Sequence, residues 1–313
     1  MKVVVVEPLG VDRKELDRLA EEILGNDVEW VYYENRETDP VKLIQRGEDA
    51  DAIVVANQPL SGEVIRGFRK LRFLSVAFTG YDHIDMEACR EKGVAVSNCA
   101  GYSTAAVADL VFGLVINLYR NIKACDSVIR QGGTKEGLIG PELEGKKFGV
   151  IGTGAIGRRV AAIAGAFGCE VLAYSRSRKE IPGVRYVELR ELLRESDIVS
   201  LHVPLTEKTR GMIGKEELAI MKPSAVLINT ARGPVVDSDA LAEALGDGKI
   251  AGCGIDVFEQ EPPMEDHPLY HTPNTLLTPH VGFATTEALC KRAKIAYENI
   301  AAWRAGKPQN RVD

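Results

Sequence analysis

The chain has 313 residues, of which 45% are apolar and 27% are charged, and its formal net charge is −6. This length corresponds to about two domains and is enough to bury a sizeable core without disulfides or metal ions. The composition excludes a disordered, collagen-like or disulfide-stapled protein. A mildly acidic chain without a basic block is also a poor candidate for nucleic-acid binding.

The six cysteines form no Cys-x-x-Cys pair and no short cluster with histidines. No metal site is therefore expected, and reduced thiols in a cytoplasmic protein are the simplest interpretation. The N-terminus lacks the layout of a signal peptide. The longest apolar stretch, residues 105–119, is interrupted by Asp109 and Asn117, so it predicts a buried helix and no membrane contact.

The first 98 residues alternate short apolar strands with amphipathic helices. The β-branched run at residues 3–6 is typical of a buried parallel strand. A helix with apolar residues at helical spacing follows it and ends at Gly25, and Asp85 is a predicted N-cap for a helix that Gly93 follows. Further strands are predicted at residues 28–32, 52–55, 73–76 and 94–97.

A long helix is predicted from residue 103 to about 121, and a glycine-rich loop or arm from 131 to 145. The alternation then restarts and predicts parallel sheets with right-handed crossovers. The strands of this half are predicted at residues 148–151, 171–174, 198–201, 226–229, 254–257 and 275–277. Its helices are predicted near residues 156–167, 188–195, 215–221 and 239–245, with a final helix within 284–306.

A G-x-G-x-x-G motif directly follows the apolar strand at 148–151 and opens an amphipathic helix. Its first glycine permits a tight turn, its second lets the backbone approach a pyrophosphate, and its third lets helix and strand pack closely. The helix N-terminus adds N–H groups for the phosphates. An ordinary glycine-rich turn is the alternative, but this context favours a dinucleotide site made of Gly152, Thr153, Gly154, Ala155, Ile156 and Gly157.

The strand at 171–174 ends in Ser175-Arg176-Ser177-Arg178, where an NAD enzyme of this type carries a carboxylate for the ribose hydroxyls. Arginine and hydroxyl groups suit a 2′-phosphate better. NADP(H) is therefore the favoured cofactor, with Ser175 and Arg176 as contacts and NAD(H) still possible. The alternative is that both arginines are merely solvated.

Three motifs follow later strands: Asn-Thr-Ala-Arg-Gly at 229–233, Asp-Val-Phe-Glu-Gln-Glu-Pro at 256–262 and Thr-Pro-His-Val-Gly at 278–282. In open α/β sheets ligands bind outside the carboxyl ends of strands, where these motifs would converge. With the glycine motif and His-x-Pro-Leu-Thr at 202–206, the chain resembles the NAD(P)-dependent D-2-hydroxyacid dehydrogenases. This is the family of phosphoglycerate dehydrogenase and hydroxypyruvate/glyoxylate reductase, and the resemblance covers nearly the whole chain.

The resemblance implies an α/β fold of two doubly wound parallel-sheet domains, Rossmann or flavodoxin-like, with an active-site cleft between them. Residues 1–98 and 286–313 would form the substrate domain, and residues 99–285 the NAD(P)-binding Rossmann domain. A homodimer is also implied, with its contact near residues 100–145.

The implied reaction transfers a hydride between a nicotinamide cofactor and C2 of a 2-oxo acid or D-2-hydroxy acid. Arg232 would bind the substrate, Glu261 would be the partner acid and His280 the proton donor. These residue types fit, because a guanidinium binds a carboxylate with a planar fork and a carboxylate beside an imidazole favours its protonated form. The resemblance further implies cofactor contacts at His202, Pro204, Thr209, Thr230, Ala231 and Asp256, and substrate contacts at Phe78, Thr79 and Gly80.

Several departures and alternatives leave the substrate open. Phe78 and Tyr81 stand where many relatives have small residues, and phosphite oxidation would need a smaller pocket than they suggest. Glu261 disfavours a formate dehydrogenase, which carries glutamine there. An NAD(H)-responsive corepressor shares the fold and the Arg/Glu/His set, although neither end of the chain looks like a docking extension. A turnover assay separates an enzyme from such a binding protein.

Overall fold

The computed structural model describes all 313 residues. The chain forms two compact units, one of Met1–Ser103 with Ala284–Asp313 and one of Thr104–Phe283. Each unit contains one sheet, and every strand pair in both sheets is parallel. The prediction of an α/β protein with two parallel sheets is therefore confirmed.

The first unit has a five-stranded sheet in the order β2-β1-β3-β4-β5. Every residue of β3 and β4 is buried, as expected for parallel strands covered on both faces. The elements in chain order are β1 (Lys2–Val5), α1 (Arg13–Leu24), β2 (Glu29–Tyr32), α2 (Pro40–Gly47), β3 (Ala52–Val55), α3 (Gly62–Gly67), β4 (Phe73–Val76), α4 (Met86–Glu91), β5 (Ala95–Asn98) and, at the end of the chain, α11 (Thr286–Arg304).

The C-terminal helix α11 completes this first unit. It packs against α1 and β4, and the Ser75 hydroxyl donates a hydrogen bond to the Ala296 carbonyl at 2.9 Å. The Asn299 amide donates to the Asn98 carbonyl at 2.9 Å. Because these polar groups are buried and paired with each other, the end of the chain belongs to the unit formed by its beginning.

The second unit has a seven-stranded sheet in the order β12-β11-β10-β9-β6-β7-β8. Its elements in chain order are α5 (Thr104–Arg120), α6 (Ile122–Arg130), β6 (Lys147–Ile151), α7 (Ala155–Ala166), β7 (Glu170–Tyr174), β8 (Val184–Tyr186), α8 (Leu189–Glu195), β9 (Ile198–Leu201), α9 (Lys215–Ala219), β10 (Val226–Asn229), α10 (Ser238–Gly246), β11 (Gly252–Ile255) and β12 (Thr275–Leu277).

The structure corrects the sequence-based elements in three places. A strand was predicted at 254–257, but β11 begins two residues earlier because its register pairs Val226 with Gly252 and Asn229 with Ile255. The edge strand β8 and the helix α6 were not predicted at all. The long helix ends at Arg120, since Asn121 takes a left-handed conformation with φ of 50°, and α6 starts in a new direction.

Helix α5 contains the apolar stretch at residues 105–119, which the sequence predicts to be a buried helix. Eight of its residues are buried in the second unit, where it packs on α7, β10 and β11. No single helix of the chain is both long and apolar enough to cross a membrane; only α5 and α6 taken together reach that length and composition, as a pair bent by 56°.

Candidate active site

The three family motifs lie side by side at one edge of the second sheet. β10, β11 and β12 are consecutive neighbours, and the motifs at 229–233, 256–262 and 278–282 follow their carboxyl ends. Since parallel strands end at the same edge, neighbouring loops are separated by about 5 Å, the spacing of adjacent strands. This sheet edge therefore brings together the residues of the predicted catalytic set.

The loop that carries Arg232 is held by its own buried asparagine. The Asn229 side chain accepts a hydrogen bond from the Ala231 N–H at 3.0 Å and donates one to the Arg232 carbonyl at 2.9 Å. The next residue, Gly233, lies so close to the neighbouring loop that a Cβ atom there would be 2.0 Å from the Phe258 carbonyl carbon. Only glycine permits this approach, which places the Arg232 loop against the loop that leads to Glu261.

Glu261 and His280 form a direct pair. Their atoms Oε2 and Nδ1 lie 2.6 Å apart, and Glu261 Oε1 also accepts the Phe258 N–H at 3.3 Å. Burial alone would raise the pKa of Glu261, but the hydrogen bond and charge of His280, helped by Phe258 and the charge of Arg232, outweigh it and hold this pKa below its usual value. The glutamate is thus an anion at neutral pH.

The loop of His280 is held by the buried carboxylate of Asp256. Its Oδ1 accepts the Thr278 hydroxyl at 2.6 Å and the Val281 N–H at 2.8 Å, and its Oδ2 accepts the Gly282 N–H at 2.8 Å. The main-chain carbonyl of Asp256 accepts the His280 N–H at 2.8 Å. One side chain and its backbone therefore make four bonds to a single five-residue loop.

These four hydrogen bonds to Asp256 account for the left-handed backbone conformation of His280. His280 has φ of 54°, a left-handed conformation that costs an L-residue about 1–2 kcal/mol. The bonds to Asp256 offset that cost and aim the ring at Glu261. Burial raises the pKa of the Asp256 carboxyl more than its hydrogen bonds lower it. The sequence predicted Asp256 as a cofactor contact, which stays a prediction; its loop-holding role was not predicted.

The glycine motif has the geometry that a dinucleotide requires. Gly152 has φ of 97°, and a Cβ on Gly157 would be 1.9 Å from the Gly152 carbonyl oxygen. A Cβ on Gly154 would meet nothing within 4 Å, so the backbone is open to a ligand there. Gly154 is also the N-cap of α7 and supplies no side-chain cap, which leaves the N–H groups of the first turn available to phosphates. This turn fits a pyrophosphate.

The end of β7 presents the residues predicted to distinguish the two cofactors. Ser175 is half-buried and Arg176 is exposed, without a hydrogen bond or ion pair to the protein. Arg178 differs, since its guanidinium lies 2.8 Å from the Glu188 carboxylate. Arg176 is therefore the arginine whose donors are available to a phosphate.

The remaining predicted cofactor residues follow β9 and β10. The His202 ring contacts the Ser200 hydroxyl at 2.9 Å, and desolvation lowers its pKa to about 3, so the ring is neutral. The Thr230 hydroxyl is buried without a hydrogen-bond partner, which fits a site completed by a ligand. Pro204 and Thr209 form one turn, in which the Thr209 hydroxyl donates to the Pro204 carbonyl at 2.6 Å.

The predicted substrate loop lies in the first unit, after β4. The Phe78 side chain is only 5% exposed and packs near the rings of Tyr102 and His83, with centroids 6.1 and 6.4 Å away. The Asn98 amide donates to the Thr79 carbonyl at 2.7 Å, which fixes the loop. The Phe78 ring thus belongs to the core of the first unit. Thr79 and Gly80 are partly exposed, so they are the part of this loop that lies nearer the protein surface.

One further residue of the cofactor turn was missed in the sequence. Arg158 lies in the first turn of α7, and its guanidinium donates to the Thr153 carbonyl at 3.2 Å. This contact stabilises the phosphate turn and adds a positive charge beside it. Its position directly after Gly157 was the available signal.

The family model described as D-isomer specific 2-hydroxyacid dehydrogenase, NAD binding domain, matches residues 112–282. The chain belongs to this family. It is 40% identical to a glyoxylate reductase of Thermococcus litoralis over 285 residues, which are 87% of this chain and 86% of the relative. It is also 35% identical to a hydroxypyruvate reductase of Blautia hydrogenotrophica over the full length of both chains.

The solved structure of a D-2-hydroxyisocaproate dehydrogenase matches with a TM-score of 0.85 and 27% identity over 100% of this chain and 99% of that chain. The acyclic imino acid reductase Bsp5 in complex with NADPH and D-Arg matches with a TM-score of 0.92 and 32% identity over the whole of both chains. The protein is an NAD(P)-dependent D-2-hydroxyacid dehydrogenase, an oxidoreductase of 2-hydroxy acids and their 2-oxo counterparts. The comparisons give the corepressor alternative no support.

The hydrogen bonds between Asp256 and the His280 loop lead to a prediction about stability. In Asp256→Asn the amide nitrogen would face the Gly282 N–H, so one buried donor loses its acceptor. We expect a loss of about 1–3 kcal/mol in the free energy of unfolding, the usual effect of one unsatisfied buried group. Urea unfolding without cofactor measures it.

The matched control is Asp247→Asn, which removes an exposed ion pair to Lys249. We expect less than about 1 kcal/mol there. If both variants lose the same small amount of unfolding free energy, the hydrogen bonds of Asp256 do not stabilise the loop.

Proposed function

We propose that this dehydrogenase reduces small 2-oxo acids of the size of glyoxylate and hydroxypyruvate, with NADPH as the preferred cofactor and His280 as the proton donor. The observation that carries the proposal is the 2.6 Å contact between Glu261 and His280, on a sheet edge shared with Arg232. The glyoxylate and hydroxypyruvate reductases among the relatives support the substrate class.

The side chains divide the work in the following way. Arg232 binds the substrate carboxylate and the keto oxygen, since its guanidinium presents several donors in one plane. His280 directs Nδ1 at Glu261, so Nε2 delivers the proton to the keto oxygen. The anionic Glu261 holds Nδ1 of the ring at 2.6 Å and so keeps the ring oriented.

A bound nicotinamide supplies the hydride to C2 of the substrate. The glycine turn at 152–157 would hold the pyrophosphate, and Ser175 and Arg176 the 2′-phosphate. His202, Pro204, Thr209, Thr230, Ala231 and Asp256 are the other proposed cofactor contacts. In the first unit, backbone N–H groups of Phe78, Thr79 and Gly80 are proposed to bind the substrate carboxylate. In this proposal the second unit holds the cofactor and supplies Arg232 and His280, and the first unit supplies backbone donors for the substrate.

We also propose a homodimer through α6 and the arm at 131–145. No residue of α6 is buried, although the helix is amphipathic. Ile122, Ile129 and Ile139 expose 47%, 67% and 86% of their surface. Large apolar side chains exposed within one short segment of the chain are typical of an interface.

The catalytic assignment is tested with His280→Ala. We expect a loss in kcat of about 10²-fold or more for reduction of the best 2-oxo acid, the usual contribution of a general acid. A screen of glyoxylate, hydroxypyruvate, pyruvate and phenylpyruvate by NADPH absorbance identifies that acid first. Cofactor binding should persist. A loss below threefold between pH 6 and 8 would remove His280 from this role.

The acid–imidazole pair predicts a pH effect. The hydrogen bond and charge of His280 outweigh burial and hold the pKa of Glu261 below its usual value, so its negative charge is present at neutral and alkaline pH. Glu261→Gln removes that charge and keeps the shape of the side chain. We expect the alkaline limb of the kcat profile for reduction to lie at lower pH in this variant than in the wild-type enzyme. An unchanged limb would contradict the coupling.

The cofactor preference is tested with Arg176→Ala and Ser175→Asp. We expect Arg176→Ala to raise the KM for NADPH by roughly 10- to 150-fold and to leave the KM for NADH nearly unchanged, because only one cofactor carries the 2′-phosphate. Ser175→Asp should shift the preference toward NADH by repelling that phosphate.

Arg178→Ala is the matched control, since this arginine is engaged by Glu188. We expect a smaller change in the KM for NADPH there. A wild-type enzyme that favours NADH tenfold in kcat/KM would overturn the assignment of NADP(H).

The dimer is tested with Ile129→Lys, which places a charge on the exposed face of α6. We expect a shift to monomer in sedimentation velocity. Val41→Lys, at a 59% exposed apolar position on α2, is the control and should leave the mass unchanged. A wild-type monomer at micromolar concentration would refute the dimer.

A further inference from the structure

The phenol of Tyr186 connects two loops on opposite sides of β7. Tyr186 ends the edge strand β8, where it pairs with Ala173 of β7. Its hydroxyl donates a hydrogen bond to the Thr153 hydroxyl at 3.1 Å and accepts one from the Lys179 N–H at 3.2 Å. The side chain thus reaches from the sheet edge over the end of β7 to the turn that follows β6.

The two loops it joins have different proposed tasks. Thr153 lies between Gly152 and Gly154 in the phosphate turn and is only 4% exposed. Lys179 lies in the exposed segment after β7 that also carries Ser175 and Arg176. The phenol is therefore the hydrogen-bonded connection between the pyrophosphate turn and the segment proposed to contact the 2′-phosphate.

The two loops also depend on this connection to different degrees. The phosphate turn has other supports, because the Gly152 N–H donates to the Tyr174 carbonyl at 2.8 Å and Arg158 donates to the Thr153 carbonyl. Residues 176–180 have few such supporting contacts. Their other anchor is the Arg178–Glu188 ion pair, whose side chains are 57% and 76% exposed, and such surface pairs contribute little.

We propose that Tyr186 is a positioning residue for NADP(H), which orders the segment at 175–179 so that Arg176 meets the 2′-phosphate. The inference rests on the proposed preference for NADP(H). A loop that is ordered before binding loses less conformational entropy when the phosphate arrives, so its order adds affinity for the phosphorylated cofactor alone. The phosphate turn, which both cofactors use, keeps its own supports.

The test is Tyr186→Phe, which removes only the hydroxyl. Titration of the cofactor's nicotinamide fluorescence gives Kd for NADPH and for NADH without turnover. We expect Kd for NADPH to rise about three- to tenfold, as for the loss of one or two hydrogen bonds, and Kd for NADH to change less than twofold. Tyr270→Phe, at an exposed tyrosine outside the site, is the control and should change neither constant.

A double-mutant cycle with Thr153→Val tests the connection itself. Thr153→Val removes the hydroxyl that accepts the Tyr186 hydrogen bond. When the Tyr186 hydroxyl is already absent, losing the Thr153 hydroxyl should not change the ratio of the two Kd values any further. We expect the ratio of the two Kd values in the double variant to equal that of Tyr186→Phe. Additive changes in this ratio would show that the two hydroxyls act separately and would overturn the inference.

The outcomes separate this inference from the proposed function. If the wild-type enzyme prefers NADPH and Tyr186→Phe leaves the ratio of the two Kd values unchanged, the inference fails and the cofactor assignment stands. Equal weakening of both cofactors would make Tyr186 a support of the phosphate turn only, which also overturns it. A wild-type enzyme without preference for NADPH removes the cofactor assignment and the inference together.

Discussion

The buried carboxylate of Asp256 is the constraint on which the catalytic geometry depends. Three donors from residues 278–282 converge on it, and its main-chain carbonyl holds the His280 N–H. A buried carboxylate is stable only when its oxygens accept hydrogen bonds. A histidine keeps a left-handed backbone conformation only when the surrounding structure holds it there. The two requirements meet at one loop, so a substitution of Asp256 also removes support from the backbone of His280.

Close backbone approach supplies the second constraint. Gly233 lets the loop after β10 touch the backbone of Phe258, and Gly157 lets α7 touch the carbonyl of Gly152. The first approach brings Arg232 near the charge of Glu261, which contributes to the lowered pKa of that carboxyl. The second leaves a turn whose N–H groups face outward. The approach of Arg232 to Glu261 and the shape of the turn at 152–157 thus rest on positions where no Cβ is tolerated.

The nucleotide end of the second sheet is organised differently from its catalytic end. The catalytic loops are fixed by buried bonds to Asn229 and Asp256, whereas the segment after β7 is exposed and has few anchors. A side chain at the sheet edge therefore has a large effect there.

Much of this protein is determined by local sequence. Buried β-branched runs such as residues 3–6 and 52–55 predict parallel strands because both faces of such a strand must be covered. The cap at Asp85 and the turn at Gly93 are local as well, and both are observed. Arg232, Glu261 and His280 were predicted as a catalytic set from motifs, because the proposed chemistry requires those residue types.

Other features depend on contacts between residues far apart in the chain, and only the tertiary structure decided them. β8 has only three residues, too few for an alternating pattern to be recognised, so its pairing with β7 makes it a strand. The start of β11 is set by its register with β10, because Gly-Cys-Gly has no strand preference of its own. The bonds of Asp256 and Tyr186 span 26 and 33 residues, and hydrogen bonds across such separations leave no periodic signal in the sequence.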